Sequence, residues 1–376
     1  MSSAPLARYR AQAPDAIFSS IALALLLAGV LMSASARVYT EAVHGGVPRG
    51  LVNSGVHLAV GLFFLVLTVV VDYHRLARPG AIWALLIGVS ALLFAALLGP
   101  EIGNTHRWLS LGGVRFQPSE LAKPVLVLAL AAALLRTGPE LRTAHGLARP
   151  IGIAAWLGAL VLAGKDLGTP ALLFGTTLAL VIAAGARWRH VAALVGAGVA
   201  LFAVFALMEP YRVARLAGFT SAVVFDPHRL GDIPYQLRQS IVAIGSGGPF
   251  GRGFGASTQK AFFLPEADND FIFAVICEEL GLWGGVAVVA AFLLLAWRGW
   301  MAGERAPDDL GRLVALGATV LLAGQAICHM GVVTGLLPTK GLPLPFLSTG
   351  GSSVVASCIL VGLVLNVSVR SRRDDD

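Results

Sequence analysis

The stretch Gln259–Gly281, QKAFFLPEADNDFIFAVICEELG, leads an acidic segment directly into an apolar helix. The apolar run from Leu280 to Trp297 is long enough to cross most of a bilayer, because a span needs about 20 apolar residues. Ionisable residues beside hydrocarbon are costly and are usually functional. The stretch therefore predicts a membrane helix that begins at a functional acidic segment. Its carboxylates are Glu266, Asp268, Asp270, Glu278 and Glu279.

The composition is that of a membrane protein. Apolar residues make up 56% of the chain and charged residues 13%, against about 45–50% and about 25% in soluble domains. The 44 glycines suit close packing of helices in lipid. Cys277, Cys328 and Cys358 lie in apolar stretches and show neither a disulfide framework nor metal-ligand spacing. No basic cluster is interleaved with aromatic residues, so nucleic acid is not an expected partner. The composition predicts an all-α polytopic membrane protein with one membrane domain over residues 1–376.

Ten segments are apolar enough to be transmembrane helices. The first follows Arg8 and Arg10 and resembles a signal peptide, but its apolar stretch is long for one, so a retained helix is favoured. A long extracytoplasmic loop, 209–269, is predicted between spans 7 and 8. The predicted spans are 16–35, 52–71, 80–98, 119–136, 150–164, 168–186, 190–208, 270–297, 311–335 and 350–369.

Arginines predict the orientation of the spans. The connections on one side each carry at least two, such as Arg75 with Arg78 and Arg187 with Arg189. Cytoplasmic loops are enriched in basic residues, so this side is predicted to be cytoplasmic, with both termini inside. The outer face then carries residues 99–118, the turn near 165–167, loop 209–269 and residues 336–349.

Four polar motifs fall on this outer face. The first runs from Asn104 to Glu120 and on to Lys123, with Pro118 placed to begin a helix and Ser119 to cap it. Glu120 and Lys123 are three residues apart, so they share one helix face. They form either a structural ion pair or a contact to substrate.

Two further motifs flank spans. Lys165–Thr169 occupies a short break between spans, where Asp166 either caps the next helix or contacts substrate. Leu337–Ser353 contains prolines and a double glycine, which predicts rigid, non-helical backbone that is buried in protein or faces water. Within it, Lys340 either neutralises a phosphate or reaches the membrane interface.

The fourth motif is the glycine-rich end of the long loop. Gly251, Gly253 and Gly255 permit positive φ and close backbone approach. Exposed amides there, with Arg252 and Lys260, are one way to hold a phosphate. A flexible connection is the alternative.

Asp270 ends this motif and precedes Phe271–Phe273. Desolvation, with Glu266 and Asp268 close by, is expected to raise the pKa of Asp270, which suits a general base near neutral pH. The pair Glu278–Glu279 lies about two turns deeper, roughly 12 Å along the helix. It is expected either to pair with an arginine or a backbone donor, or to serve the site.

These motifs resemble those of the SEDS family of cell-wall polymerases, which includes FtsW, RodA and SpoVE. The resemblance covers nearly the whole chain, and LPEADNDFIFAVICEELG (264–281) and LLPTKGLPLPFLSTGGSS (336–353) carry it most specifically. With a lysine at position 340, the chain resembles the FtsW and SpoVE members more than RodA, which usually lacks that lysine. Shorter matches, in family order, are Arg107-Trp108, Gln117-Pro-Ser-Glu120, Asp166-Leu-Gly-Thr and Tyr235-Gln…Gln239-Ser240.

The resemblance implies a ten-span fold in the bacterial cytoplasmic membrane and peptidoglycan glycosyltransferase activity on lipid II, the undecaprenyl-pyrophosphate disaccharide-pentapeptide. It implies a class B penicillin-binding protein as partner, alongside other membrane proteins of the divisome or elongasome. The family's essential aspartate corresponds to Asp270, which is therefore the expected catalytic residue. The expected substrate-binding residues are Arg107, Glu120, Lys123, Arg252, Lys260 and Lys340.

The sequence departs from the family pattern in places. The extra charge of Asp268 beside Asp270 favours either a shifted pKa or a bound divalent cation, Mg²⁺ or Mn²⁺, and no metal ligands are assigned. The family commonly has proline, histidine, threonine, asparagine and tyrosine at the positions of Lys165, Asp268, Asn269, His329 and Thr349.

The predicted reaction is an inverting glycosyl transfer at the outer face. Asp270 takes the proton from the 4-hydroxyl of an acceptor N-acetylglucosamine, whose oxygen attacks C1 of a donor N-acetylmuramic acid. Undecaprenyl pyrophosphate departs, and positive charge or a metal stabilises it. A lipid II transporter without chemistry is the rival function, because buried charges and broken helices also suit transport. A scaffold for a transpeptidase is the third. Motifs gathered on one face, without an internal repeat, favour the transferase.

Overall fold

A computed structural model describes most of the chain. Some predicted features lie outside the described residues: the site residue Lys340, the motif residue Asn104 and the part of the predicted long loop before residue 234. The described residues are 13–42, 49–101, 105–111, 114–207, 234–338 and 341–370.

Apolar helices make up nearly all of this structure, and a hairpin of two short strands follows the fourth of them. The strands pair antiparallel, with Ser110 opposite Arg115. In chain order the elements are α1 (Ala16–Ala42), α2 (Arg49–Val70), α3 (Tyr73–Leu76), α4 (Pro79–Leu98), β1 (Leu109–Leu111), β2 (Val114–Phe116), α5 (Pro118–Thr137), a 3₁₀ turn (Gly138–Arg142), α6 (Ala144–Ala163), α7 (Gly168–Ala183), α8 (Trp188–Leu207), α9 (Tyr235–Gly247), α10 (Thr258–Phe262), α11 (Ile272–Glu304), α12 (Asp309–Val333) and α13 (Gly351–Val369).

The prediction of an all-α polytopic membrane fold is confirmed. Nine helices in the described part of the chain are long and apolar enough to cross a membrane, and α7 is a shorter apolar helix of 16 residues. Together they correspond to the ten predicted spans. α11 differs most from its prediction, because it spans 33 residues and continues to Glu304. The long loop contains two helices, α9 and α10, in its described part.

Helix starts follow from local chemistry. Pro118 occupies the first turn of α5, where its missing N–H removes no helical hydrogen bond. Ser119 was predicted to cap this helix, and that prediction is wrong. Gln117 holds the cap position, and the Ser119 hydroxyl instead accepts a hydrogen bond from Gln117 Nε2 at 2.9 Å. At α12, Asp308 is the cap, and its carboxylate accepts from the Gly311 amide at 2.7 Å.

Three helices form the centre of the bundle. Most of the apolar part of each of these helices is buried inside the protein: 72% in α5, 67% in α12 and 78% in α13. In α2 and α8 the values are 11% and 6%, so these two helices present most of their surface outward. An apolar surface of this kind requires lipid or another apolar partner.

Contacts between helix ends define two ends of the bundle: the Gln117 amide before α5 donates to Ser352 in the first turn of α13 at 2.9 Å, whereas His74 of α3 contacts Asp308 before α12. One, here called the site end, holds the hairpin, the turn between α6 and α7, and the segments that precede α11 and α13. The other holds α3 and the turn between α11 and α12. There, His74 lies between two carboxylates, with Nδ1 2.8 Å from Asp72 and Nε2 2.7 Å from Asp308.

Candidate active site at one end of the bundle

Asp270 lies at the site end, in the turn that leads into α11. Its amide donates to the Glu266 carbonyl at 2.9 Å, and Glu266 adopts a left-handed conformation with φ 54°. The carboxylate is only partly buried, whereas Phe271 and Ile272, which follow, are buried. Asp270 therefore sits at the boundary between an accessible turn and the apolar interior.

The segment 341–350 packs against residues 268–270 and hydrogen-bonds to their backbone. The carbonyl of Asp268 accepts from the Thr349 amide at 3.0 Å and from the Thr349 hydroxyl at 3.1 Å. The carbonyl of Asn269 accepts from the Ser348 hydroxyl at 2.7 Å. Gly341 packs directly on Asp270, because a Cβ built on Gly341 would lie 3.1 Å from the carboxyl carbon. The carboxylate is thus held against backbone with no room for a side chain between them.

Burial raises the pKa of Asp270 to about 6. The nearby Arg107 guanidinium opposes this rise, while the carboxylates of Glu266, Asp268 and Asp166 add to it. The sequence-based expectation of a raised pKa, with Glu266 and Asp268 contributing, is confirmed. A carboxylate with this pKa is deprotonated at neutral pH and has a useful affinity for a proton, as a general base requires.

Arg107 is a cation at this site with no ion-pair partner among the described residues. It precedes β1, and its guanidinium carbon lies 5.7 Å from the centroid of the Trp108 ring. Its Nε is buried and makes no hydrogen bond. No carboxylate in the described part of the chain lies within 4.0 Å of it. A buried, unpaired guanidinium nitrogen is costly, so the position suits an anionic ligand.

Asp166 caps α7, as one of its two predicted roles requires. One carboxylate oxygen accepts from the amides of Gly168 and Thr169 at 3.0 and 3.2 Å. The other accepts from the Thr169 hydroxyl at 2.8 Å. The preceding residue Lys165 is left-handed, with φ 65°, and its ammonium pairs with Glu101 at 3.2 Å.

Glu120 and Lys123 form a buried ion pair, one of the two alternatives left open by their spacing. The Lys123 ammonium lies 2.6 Å from Glu120 Oε1 and donates to Gln325 Oε1 at 2.7 Å. Only 1% of the Lys123 side chain and 3% of the Glu120 side chain are exposed. Both are enclosed by protein here, and a substrate contact by either stays a prediction.

Glu278 pairs with Arg252, and Glu279 pairs with Lys260; both cations were predicted substrate-binding residues. Arg252 Nη1 lies 3.2 Å from Glu278 Oε1, and the Lys260 ammonium pairs with Glu279 and donates to Ser35 of α1 at 2.8 Å. The Lys260 side chain is 2% exposed, whereas that of Arg252 is 43% exposed. Glu278 and Glu279 are therefore paired, which was one of the two roles that the sequence left open for them. Substrate contact by Arg252 or Lys260 stays a prediction.

The amides of the glycine-rich loop, one of the two alternatives for holding a phosphate, donate hydrogen bonds to protein groups in this structure. The Arg252 and Gly253 amides donate to the carbonyls of Glu278 and Glu279 at 2.9 and 3.0 Å. The Gly255 amide donates to the Glu279 carboxylate at 3.1 Å. These bonds satisfy carbonyls that a break in α11 at Gly281 leaves without helical partners.

The described residues do not fit a metal site built from protein ligands alone. No group of three His, Cys, Asp or Glu side chains in these parts of the chain converges to hold a metal ion. The predicted divalent cation is therefore assigned no ligands and no chemical step.

Several polar residues that support Asp270 were not identified from the sequence. The sequence indicated Thr349 and His329 only as departures from the family pattern, Ser348 only as part of a longer motif, and Gln325 not at all. Gln325 and His329 are four residues apart in an otherwise apolar helix, so they share a helix face. Polar residues within a span usually face the protein interior, and this spacing was the available signal.

Comparison with known proteins places this geometry in a family. The profile of the Cell cycle protein family FtsW/RodA/SpoVE matches residues 15–373. A probable peptidoglycan glycosyltransferase FtsW from Nitrosococcus halophilus is 39% identical over 367 residues, which cover 96% of this chain and 93% of that protein. The corresponding protein of Thioalkalivibrio sulfidiphilus is 42% identical over 354 residues, covering 92% and 87%.

Two solved structures share the fold. A chain from a peptidoglycan synthase complex that coordinates polymerization and crosslinking has a TM-score of 0.76 at 28% identity, covering 95% of this chain and 98% of that one. The rod shape determining protein RodA of Thermus thermophilus has a TM-score of 0.69 at 28% identity, covering 96% and 99%. With the profile match over almost its whole length, the chain belongs to the FtsW/RodA/SpoVE family of membrane proteins.

Proposed function

We propose that this protein is a peptidoglycan glycosyltransferase that polymerises lipid II into glycan strands, with Asp270 as the general base. The observation that carries the proposal is the Asp270 carboxylate. It is partly buried, has a pKa of about 6, and lies near Arg107, whose buried Nε has no hydrogen-bond partner among the described residues. Relatives named as probable peptidoglycan glycosyltransferases, at 35–42% identity, support the reaction class.

In the proposed reaction, Asp270 removes the proton of the acceptor 4-hydroxyl as that oxygen bonds to C1 of the donor sugar. The bond from C1 to the pyrophosphate oxygen breaks, so the configuration at C1 inverts and undecaprenyl pyrophosphate leaves. Of the predicted cations within the described residues, Arg107 is the one free of an ion pair. It is therefore the first candidate to stabilise the departing negative charge.

The site end is proposed to face the outside of the bacterial cytoplasmic membrane, with both termini in the cytoplasm. The arginine-rich connections support this, because they gather at the opposite end of the bundle. Those in the described part of the chain include Arg75, Arg78, Arg136, Arg142, Arg187, Arg189, Arg298, Arg305 and Arg312.

A class B penicillin-binding protein is the proposed partner, and it would crosslink the strands that this protein makes. The similarity to a chain of a complex that couples polymerization to crosslinking supports this. Outward-facing apolar helices such as α2 and α8 are available surfaces for another membrane protein.

The test is polymerisation of purified lipid II by the full-length protein in detergent, read as glycan ladders on a gel. Asp270→Asn should lower the rate by about 10²–10⁴-fold, the usual contribution of a general base, and should leave the protein folded. Glu266→Gln is the matched control, because it removes a neighbouring exposed carboxylate and should retain activity. Reactions with and without the penicillin-binding protein, and with Mg²⁺, Mn²⁺ or a chelator, test the partner and the cation.

Two outcomes would contradict the proposal. Complete glycan synthesis by the Asp270→Asn variant would exclude the residue as the base. Movement of lipid II across liposomes by the wild-type protein, with no polymer formed under any of these conditions, would point to transport.

A further inference from the structure

Two side chains of α12 hold consecutive carbonyls of the segment that supports Asp270. Gln325 Nε2 donates to the carbonyl of Pro343 at 2.7 Å, and His329 Nδ1 lies 2.6 Å from the carbonyl of Leu342. Both side chains are buried, with 3% and 1% of each residue exposed. Their spacing of four residues puts them on one face of the helix, one turn apart.

The hydrogen bond of His329 defines which ring nitrogen carries the proton. A carbonyl oxygen only accepts, so Nδ1 must be the donor. Nε2 is buried and has no partner among the described residues. A proton on that nitrogen would leave an unsatisfied buried donor, so the geometry favours the neutral ring protonated at Nδ1.

The backbone between these carbonyls and Asp270 is short and stiff. Leu342 directly follows Gly341, whose Cα packs on the Asp270 carboxylate. Pro343 and Pro345 fix two φ angles in the same segment. Fixing the Leu342 carbonyl therefore fixes Gly341, and through it the position and the burial of the carboxylate.

We propose that His329 is a positioning residue for Asp270, acting through the Leu342 carbonyl and Gly341 without touching the substrate. This inference rests on the proposed function of Asp270. Without its donor, the segment gains freedom, Gly341 withdraws and water reaches the carboxylate. A base displaced by about 1 Å can cost about 10²-fold in rate.

The variant that tests this is His329→Leu, which removes the donor and keeps a buried side chain of similar size. The rate constant kcat for polymerisation should fall by about 10–100-fold, while KM for lipid II changes little. His329→Asn retains an N–H donor, and it should recover more of kcat than the leucine variant. Thr319→Val is the control, because it removes a different buried hydrogen bond of α12, from the Thr319 hydroxyl to the Ala315 carbonyl, and should leave kcat unchanged.

A second measurement follows Asp270 without relying on activity. The carboxyl infrared band that disappears in Asp270→Asn is titrated in the wild-type and His329→Leu proteins. Greater access of water should lower the midpoint from about pH 6 toward the ordinary aspartate value. The other charged groups acting on Asp270 are Arg107, Glu266, Asp268 and Asp166, and none of them is altered.

The results distinguish a positioning role for His329 from a purely structural one. An unchanged midpoint and kcat in His329→Leu would overturn the proposal. A lower melting temperature with an unchanged midpoint would overturn it too, because His329 would then only stabilise the fold. A shifted midpoint with no link between Asp270 and polymerisation would contradict the proposed function and leave the positioning intact. If the leucine variant does not fold, His329→Met makes the same comparison with a more adaptable side chain.

Discussion

The Asp270 carboxylate is held where its charged form is disfavoured. Its pKa in the folded protein is about 6, above the ordinary value of 3.8. For an acid with a raised pKa, the charge costs stability at every pH above the folded value. That cost shrinks as the pH falls through 6 and disappears below about 4. Functional sites often retain strain of this kind at the expense of stability.

Asp270→Asn should therefore stabilise the protein at pH 7.5, by about 1–2 kcal/mol after allowance for partial solvent access. The gain should vanish at pH 4, where the wild-type carboxyl is neutral too. Thermal unfolding of both proteins in the same detergent at the two pH values measures this. Glu266→Gln serves as the control. A destabilised asparagine variant at pH 7.5, or an equal difference at both pH values, would show that burial does not oppose the charge of Asp270.

At the scale of elements, the break in α11 joins the glycine-rich loop to the helix that carries Asp270. Gly281 has φ 72° and ψ −165°, a conformation that side chains strongly disfavour. The Leu282 amide donates to the Gly248 carbonyl at 2.9 Å. The loop thereby satisfies backbone groups on both sides of the break, because its own amides bind the carbonyls of Glu278 and Glu279.

Gly281→Ala should destabilise the protein by about 2 kcal/mol or more, from backbone strain and from overlap with the loop. A Cβ at this position would lie 2.6 Å from the Pro249 carbonyl oxygen and 2.7 Å from the Phe250 carbonyl carbon. Unfolding midpoints and protease cleavage within 248–255 measure the effect.

Gly158→Ala in α6 is the matched control for this substitution, because a Cβ there meets no atom within 4 Å. It should be neutral or slightly stabilising, since alanine is a better helix former than glycine. Equal stability of the two alanine variants would mean that the break at Gly281 is not required.

At the scale of the whole molecule, the two ends of the bundle differ in charge and in chemistry. Arginine-rich connections gather at one end, and Asp270 and Arg107 lie at the other. The proposed orientation predicts that Ala256→Cys, which is exposed at the site end, reacts with a membrane-impermeant maleimide on intact cells. Arg142→Cys, exposed at the opposite end, should react only after the membrane is permeabilised.

Wild-type protein is the control for this labelling, because its three cysteines lie in membrane helices. The opposite labelling pattern would place the site in the cytoplasm, where a polymerase of extracellular glycan cannot act.

Much of this molecule followed from the sequence alone. The ten apolar segments predicted the helices, because the transfer of a segment into lipid depends on the summed hydrophobicity of about 20 successive residues. The rise in the pKa of Asp270 was foreseen because two of the carboxylates that contribute to it, Glu266 and Asp268, lie close by in the sequence, whereas the opposing charge of Arg107 comes from a distant segment. Asp166 was foreseen as a cap for the same reason, since a cap and its amides are two or three residues apart.

Only the tertiary structure decided which polar groups meet. Glu279 pairs with Lys260 and accepts from Ser35, which is 244 positions away. The Leu342 carbonyl is hydrogen-bonded by His329, which lies 13 residues earlier in the chain. Buried polar groups require partners, but many side chains of suitable chemistry were available in the sequence. The choice among them depends on how the helices pack. Hydrophobicity is a local sum that a sequence displays directly, whereas pairing is a matter of three-dimensional position.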